Sequence, residues 1–199
     1  MDKTIVFIDD GYLSKISKFL GGGTYLQIDI NQFAINLAKA QNLWCEEVYL
    51  YTAPPFQSAV PTTEEAEKRA RYDRFTSRVR RISGFNVREG RLQYVDGEYR
   101  QKGVDTLLTM DLLTLTKENY PNIKTVILLA CDTDFVPVLQ EIRQNGVKII
   151  LYYFTDYKRG SLFSMSNYIL TACDQCVLLD ISYFTMSLRK QRSISKTEV

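Results

Sequence analysis

Unbroken apolar runs, separated by helix-like segments, constrain the fold of this chain more than any other feature. Residues 4–8 and 125–130 are apolar or β-branched throughout rather than alternating, which is typical of strands buried on both faces of a parallel sheet. Further strands are predicted at 48–53, 147–153 and 175–179. Strands that alternate with helices predict an α/β fold with a central, mostly parallel sheet and helices on both faces.

Several of the predicted helices have recognisable ends. Asp29 is a predicted N-cap, and Thr62 with Glu65 three residues later forms a predicted capping box. Asp96-Gly97 is typical of a tight turn and predicts a β-hairpin inserted between two helices. The helices are predicted at residues 12–20, 29–41, 62–82, 104–118, 137–145, about 161–166, and from 182 onwards.

The length of the chain, 199 residues, is that of one domain. We assign residues 1–188 to this domain and residues 189–199 to a polar C-terminal tail. The first apolar run is too short for a signal-peptide core, and no run approaches the length of a membrane span. We therefore expect a cytoplasmic protein without a membrane partner.

The chain contains no histidine, which excludes imidazole bases, Ser-His-Asp and Cys-His nucleophiles, and histidine-ligated metals. Of its four cysteines, Cys173 and Cys176 form one C-x-x-C pair, whereas a structural zinc site needs four ligands. We expect reduced thiols rather than a zinc site. The chemistry must therefore come from carboxylates, hydroxyls, amines or guanidinium groups.

The near-neutral net charge of +2 hides a strongly basic segment. Residues 68–102, here called the basic segment, hold eleven basic and four acidic residues, so they carry +7 and the rest of the chain −5. Most of these basic residues fall on the predicted helix 62–82. Such a segment either binds the phosphates of a nucleic acid or forms a solvated helix face with internal ion pairs.

Aspartates follow both of the clearest strands. The first strand leads into Asp9 and Asp10, and the second leads into Asp132 and Asp134. Asp105 lies just inside a predicted helix, where backbone amides favour a carboxylate. Because ligands of open parallel sheets bind outside the carboxyl ends of the strands, we expect these side chains to share a pocket. Each aspartate taken singly is equally typical of a helix N-cap.

A shared pocket of carboxylates favours a hard cation. Two carboxylates about 4 Å apart repel each other by roughly 4 kcal/mol at an effective dielectric constant near 20. Oxygen ligands without histidine or cysteine favour Mg²⁺ or Mn²⁺ over zinc. Together with the basic segment, this indicates phosphodiester chemistry, in which the metal activates water and stabilises the developing charge.

Three motifs occur in a fixed order along the chain. They are FIDDGYL at 7–13, KGVD at 102–105 with MDLL at 110–113, and LACDTDFVP at 129–137. In this order they resemble the NYN domain, the LabA-like branch of the PIN-like nuclease superfamily, over about residues 4–180. The resemblance implies a Rossmann-like PIN-type fold and a metal-dependent ribonuclease, an endonuclease, with Mg²⁺ or Mn²⁺ as cofactor and RNA as partner. It also implies a homodimer as one candidate assembly.

The resemblance assigns roles to individual residues. The acidic, metal-binding and catalytic positions match Asp9, Asp105, Asp132 and Asp134. Thr133 matches the small hydroxyl position between the last two, and Lys102 matches the basic residue of the second motif. Asp10, Tyr12 and Cys131 depart from the family pattern, which often has glycine, asparagine and glycine there. Asp10 either adds to cation binding or caps a helix, and Tyr12 places one polar contact to the site in doubt.

Our hypothesis for the mechanism is attack on a phosphodiester by water activated at one or two metal ions. Asp105 acts in this scheme through an ordered water rather than as a direct ligand. Tyr72, Phe75 and Tyr94 are candidates for stacking on unpaired bases, although core packing is the favoured role for Phe75. The expected nucleic-acid-binding residues are Arg71, Arg74, Arg78, Arg81, Arg88, Arg91 and Arg100.

Two alternatives remain open at this point. Asp132-Thr133-Asp134 also fits the D-x-D motif of haloacid dehalogenase-like phosphatases, although that motif normally begins its domain and here only a third of the chain follows it. The other alternative is a non-catalytic RNA-binding or regulatory adaptor that retains the acidic pocket.

Overall fold

A computed structural model describes residues 1–114, 122–156, 158, 161 and 163–189. These residues form strands and helices that alternate along most of the chain. In chain order the elements are β1 (Lys3–Asp9), α1 (Asp10–Leu20), α2 (Ile30–Lys39), β2 (Trp44–Thr52), α3 (Thr63–Val79), β3 (Phe85–Glu89), β4 (Arg91–Val95), β5 (Glu98–Lys102), α4 (Val104–Leu113), β6 (Ile123–Leu129), a 3₁₀ turn (Thr133–Phe135), α5 (Val136–Gln144), β7 (Lys148–Tyr153), α6 (Asn167–Thr171), β8 (Gln175–Leu178) and α7 (Ile181–Thr185).

The central sheet has six strands in the order β3-β2-β1-β6-β7-β8, and every neighbouring pair is parallel. β4 and β5 form a separate antiparallel hairpin, in which Asp96 and Gly97 at the turn both have positive φ angles. This confirms the predicted α/β fold with its mostly parallel sheet and inserted hairpin. The topology brings β1 and β6, the two strands that lead into the aspartates, side by side in the middle of the sheet.

Both faces of the sheet are covered, as the unbroken apolar runs predict. Ile8 packs into one core cluster together with residues of α1 and α2, whereas Phe7 packs into the other with residues of α4 and α5. Both side chains are buried. Successive residues of a strand point to opposite faces, so a strand buried on both faces has to be apolar at every position.

The predicted caps at Asp29 and Thr62 are confirmed, whereas the helix predicted at 62–82 already ends at Val79. The side chain of Asp29 accepts a hydrogen bond from the amide of Gln32 (3.0 Å), and Thr62 and Glu65 form the reciprocal capping box. The prediction of a helix near 161–166 is wrong. The hydroxyl of Ser166 instead accepts from the amide of Tyr168 and begins α6.

Some predictions fall on residues that the structure does not describe. α4 is described to Leu113, and the expected continuation at 115–118 lies outside the described residues. The same holds for residues 190–199 of the predicted tail, and for Leu162 in the segment just discussed. The four cysteines are free thiols. Within the described part of the chain, no helix combines the length and apolar character needed to cross a membrane.

Candidate active site

The carboxylates predicted from the strand ends lie at one edge of the sheet. Asp9 is the last residue of β1, and Asp132 follows the end of β6 by three residues. Because Ile8 pairs with Leu129 in the parallel ladder, both strands end at the same level. Asp105 lies in the first turn of α4, and Asp134 lies in the 3₁₀ turn that Asp132 caps. We call these four residues the acidic edge.

Asp9 is the most buried member of the acidic edge. Its side chain caps α1 by accepting a hydrogen bond from the amide of Gly11 (2.9 Å). Burial raises the pKa of Asp9 to about 6, with the nearby Asp105 and Asp10 carboxylates adding to the rise, although backbone amides oppose it. Among the described residues no lysine or arginine forms an ion pair with Asp9. Its negative charge is therefore stabilised by backbone amides but not paired with a positive side chain.

The other three carboxylates are more exposed and act on one another. Partial burial raises the pKa of Asp105, and the negative charges of Asp132 and Asp134 raise it further. The Asp132 side chain accepts from the amide of Asp134 (2.9 Å), an N-cap of the kind that the alternative interpretation expected. Asp132 can therefore cap the 3₁₀ turn and also bind a cation, since a capping carboxylate still has lone pairs for a further partner.

The donor set fits a hard, water-rich cation. In the described ranges, no three acidic or cysteine side chains stand close enough together to hold one metal ion by themselves. Mg²⁺ keeps several of its waters and is usually bound by one or two carboxylates together with substrate phosphates. Carboxylates spread along one sheet edge match that mode of binding and do not match a closed protein cage.

Asp10 is turned away from the acidic edge. Its carboxylate accepts hydrogen bonds from the hydroxyls of Thr52 (2.9 Å) and Ser14, and burial raises its pKa. It lines a cavity between α1, the segment 25–28 and Phe75 of α3. Neither interpretation offered for Asp10 matches this arrangement, because Asp9 is the N-cap of α1 and Asp10 is a buried structural carboxyl.

Tyr12 does not provide a polar contact to the site. Its ring is buried, and its hydroxyl donates to the carbonyl of Phe154 (3.2 Å) and accepts from the amide of Phe154 (2.8 Å). This corrects the expectation that Tyr12 lies around the metal or substrate, because both hydrogen-bonding functions of the hydroxyl are already used at the end of β7. At the neighbouring departure, burial raises the pKa of Cys131 to about 11, so this residue is a neutral thiol.

Gln101 is a residue of the site that sequence reasoning missed. A Cβ atom placed on Gly11 would lie 3.1 Å from Oδ1 of Asp9 and 3.4 Å from Oε1 of Gln101. Both side-chain oxygens therefore lie beside Gly11. Successive residues of β5 point in opposite directions, so Gln101 faces Asp9 and Lys102 faces away. Lys102 lines a cleft with Arg91 and Thr106 instead. The only signal in the sequence that could have shown that Gln101, and not Lys102, faces Asp9 is the alternation of side chains along the predicted hairpin strand.

Comparison with known proteins decides the family. The family model of the NYN domain matches residues 3–180. The chain belongs to the NYN domain family. NYN domains are members of the PIN-like nuclease superfamily, whose nucleases generally use divalent metals.

Among solved structures, a protein of unknown function from Vibrio parahaemolyticus is similar to this NYN domain. The TM-score is 0.56 at 20% sequence identity, and the similarity covers 90% of this chain and 94% of that protein. It supports the fold. No curated protein matches the chain. Membership of the NYN family replaces the haloacid dehalogenase-like alternative, since the match begins at β1 and includes all three motifs.

The arginines of this NYN domain divide into engaged and available side chains. Arg88 was expected to bind nucleic acid, but its guanidinium forms two hydrogen bonds with the carboxylate of Asp111 (2.7 and 2.9 Å), so we leave it out of the interface. Arg100 lies 3.4 Å from Glu98 in an exposed pair, which is worth little. The α3 and linker arginines without an ion pair among described residues are Arg71, Arg74, Arg78 and Arg81.

The direction of α3 determines how far each of these four arginines lies from the carboxyl edge of the sheet. The hydroxyl of Tyr72 donates to Glu89 (2.8 Å), the last residue of β3, so Tyr72 lies level with the carboxyl edge of the sheet. Val79 packs in the same core cluster as Phe85, which begins β3 at the opposite edge. At about 1.5 Å per residue, Arg71 and Arg74 lie within one turn of Tyr72, whereas Arg78 and Arg81 lie about 9 Å or more further along the chain direction of α3.

Proposed function

We propose that this NYN domain is a metal-dependent ribonuclease that cuts RNA internally with Mg²⁺ or Mn²⁺ bound at the acidic edge. The observation that carries the proposal is the negative charge of Asp9, which no lysine or arginine of the described residues pairs with. Burial raises the pKa of its carboxyl group to about 6, and the neighbouring carboxyl groups of Asp105 and Asp10 add to this rise. A site of this kind gains stability from a divalent cation and from the phosphate that accompanies it.

The chain's own residues then have separate tasks. Asp9, Asp132 and Asp134 would bind the cation partly through its waters, because no three of these side chains reach one ion by themselves, and Asp105 would act through an ordered water. Thr133 keeps Asp132 and Asp134 apart by one residue within the tight 3₁₀ turn. A bound divalent ion activates water and neutralises charge on the phosphate in such sites.

The substrate is held beyond the acidic edge. Arg71 and Arg74 project from the exposed side of α3 near this edge, whereas Arg91, Arg100 and Lys102 lie on the face of the hairpin turned away from Asp9 and would reach only a longer RNA that passes around the hairpin. Such contacts to phosphates position a nucleic acid without reading its sequence. They also predict that binding weakens as the salt concentration rises.

Cleavage of a mixed RNA pool by the purified protein tests the proposal. We expect fragments with Mg²⁺ or Mn²⁺ and none with EDTA. Asp134→Asn should lower the cleavage rate at least about a hundredfold, because a ligand charge is lost where charge stabilisation matters most. Asp2→Asn, an exposed carboxylate at the other end of β1, serves as the matched control and should cleave normally. Full activity of Asp134→Asn would refute the proposal.

A non-catalytic adaptor remains a second candidate because of one observation. The described residues contain no group of three side chains ready to hold a metal ion. An adaptor would bind RNA equally well in EDTA and cut none of a diverse set of RNA and DNA substrates.

A further inference from the structure

The hairpin β4–β5 carries an exposed cluster of aromatic rings. Tyr94 and Tyr99 are cross-strand partners whose ring centroids lie 4.8 Å apart, and Phe56 lies 5.5 Å from Tyr99 and 6.2 Å from Tyr94. The two tyrosines are 54% and 58% exposed. We call Phe56, Tyr94 and Tyr99 the aromatic platform. Phe56 anchors the rings from the segment between β2 and α3, while more than half of each tyrosine is open to solvent.

The aromatic platform lies on the face of the hairpin that leads to the acidic edge. In the antiparallel register Tyr94 pairs with Tyr99, and Leu92 pairs with Gln101. Directly opposed residues share a face, as do residues two apart on one strand, so both tyrosines lie on the same face as Gln101. The side-chain oxygen of Gln101 lies beside Gly11, next to the carboxylate of Asp9. The platform is therefore about 7 Å, two residues of a strand, from the residue that reaches the acidic edge.

One basic side chain borders the aromatic platform, and further basic side chains lie on the other face of the hairpin. Because Tyr72 lies level with the end of β3, the earlier residues of α3 extend past the sheet edge, where Lys68 lies near Tyr99. The opposite face of the hairpin carries Arg91, Arg100 and Lys102. Aromatic rings bordered by cations are typical of sites that bind single-stranded nucleic acid, in which bases stack on the rings and cations follow the backbone.

We propose that the aromatic platform binds unpaired bases and thereby restricts the acidic edge to single-stranded RNA. The bases of a duplex are stacked inside the helix and cannot reach a tyrosine ring, whereas the bases of a single strand can. This inference rests on the proposed function for the cleavage step, but the platform binds RNA whether or not the acidic edge cuts it.

Binding in EDTA tests the platform apart from catalysis. The full-length protein is titrated into a fluorescently labelled RNA oligonucleotide, either single-stranded or annealed to its complement, and anisotropy is measured. We expect the single strand to bind more tightly than the duplex. Tyr99→Ala should weaken single-strand binding about five- to tenfold, the effect of losing one stacked base. Equal binding of both RNAs, or an unchanged affinity in Tyr99→Ala, would overturn the inference.

Two further variants separate stacking from a structural role of the ring. Tyr99→Phe keeps the ring and should bind like the wild type, whereas Tyr99→Leu keeps an apolar contact with Phe56 and should be as weak as Tyr99→Ala. Full affinity in Tyr99→Leu would overturn the inference. Trp44→Ala is the matched control, because Trp44 is also 58% exposed but begins β2 at the opposite edge of the sheet.

Cleavage assays with a divalent metal keep the two proposals distinguishable. If the wild type cuts single-stranded RNA and spares duplexes, and Tyr99→Ala loses this preference, both stand. If the wild type cuts nothing while Tyr99→Ala still loses single-strand affinity, the platform stands and the nuclease proposal fails. If both RNAs are cut equally well, the nuclease proposal stands and the platform inference fails.

Discussion

Replacing Asp9 by asparagine should make the folded protein more stable. The side chain keeps its shape and an oxygen that can accept from the amide of Gly11, but it loses the charge that burial and neighbouring carboxylates disfavour. A rise of the pKa from 3.8 to about 6 corresponds to about 3 kcal/mol of cost for the ionised form at neutral pH. We therefore expect Asp9→Asn to raise the free energy of unfolding by about 2–3 kcal/mol at pH 7.5 without divalent metal.

The pH dependence of this difference follows from the direction of the pKa shift. The pKa of Asp9 is higher in the folded than in the unfolded protein, so the folded state binds the proton more tightly. The cost is therefore present in full above about pH 6 and disappears as the pH falls from about 6 towards 3.8. As the pH falls over this range, the free energy of unfolding of the wild type should rise relative to that of Asp9→Asn. The two values should become equal near pH 4.

Thermal unfolding followed by circular dichroism measures both effects. For a chain of this size, 2–3 kcal/mol corresponds to a shift of roughly 4–12 °C in Tm. Mg²⁺ or Mn²⁺ should raise the Tm of the wild type more than that of Asp9→Asn, because the ion neutralises a charge that the variant lacks. Asp2→Asn controls for the loss of an exposed carboxylate. A Tm of Asp9→Asn at or below the wild-type value at pH 7.5, or a difference that does not change with pH, would refute the reasoning.

Three further predictions concern the surroundings of the site. Arg88→Ala should lower the free energy of unfolding by about 1–2 kcal/mol in urea titrations, because Asp111 loses a half-exposed partner, and it should leave RNA affinity unchanged. Tyr12→Phe should cost about 1–3 kcal/mol by the same assay, since the buried amide of Phe154 loses its acceptor, while metal-dependent cleavage per folded molecule stays at the wild-type rate. Gly84→Ala should lower the Tm clearly, because φ is +74° and the new Cβ would lie 2.7 Å from a carbonyl oxygen of β2.

The order of elements and the position of the acidic edge could be predicted because both depend on local patterns. Unbroken apolar runs identify strands buried on both faces, and short spacings such as Thr62 to Glu65 identify helix starts. Parallel connectivity then places the ends of β1 and β6 at one edge. The segment 161–166 was misjudged because Ser166 is a capping residue, which begins a helix as readily as it follows one.

Only the tertiary structure decided which polar side chains are free to act. Tyr12 bonds to Phe154, which is 142 residues away, and Arg88 bonds to Asp111 across the gap between β3 and α4. No spacing in the sequence encodes such partners, because they depend on the packing of elements that are distant along the chain. The same packing turns Gln101 rather than Lys102 towards Asp9. The sequence by itself determined the sheet and its acidic edge, and the tertiary structure determined which neighbours of that edge can meet a substrate.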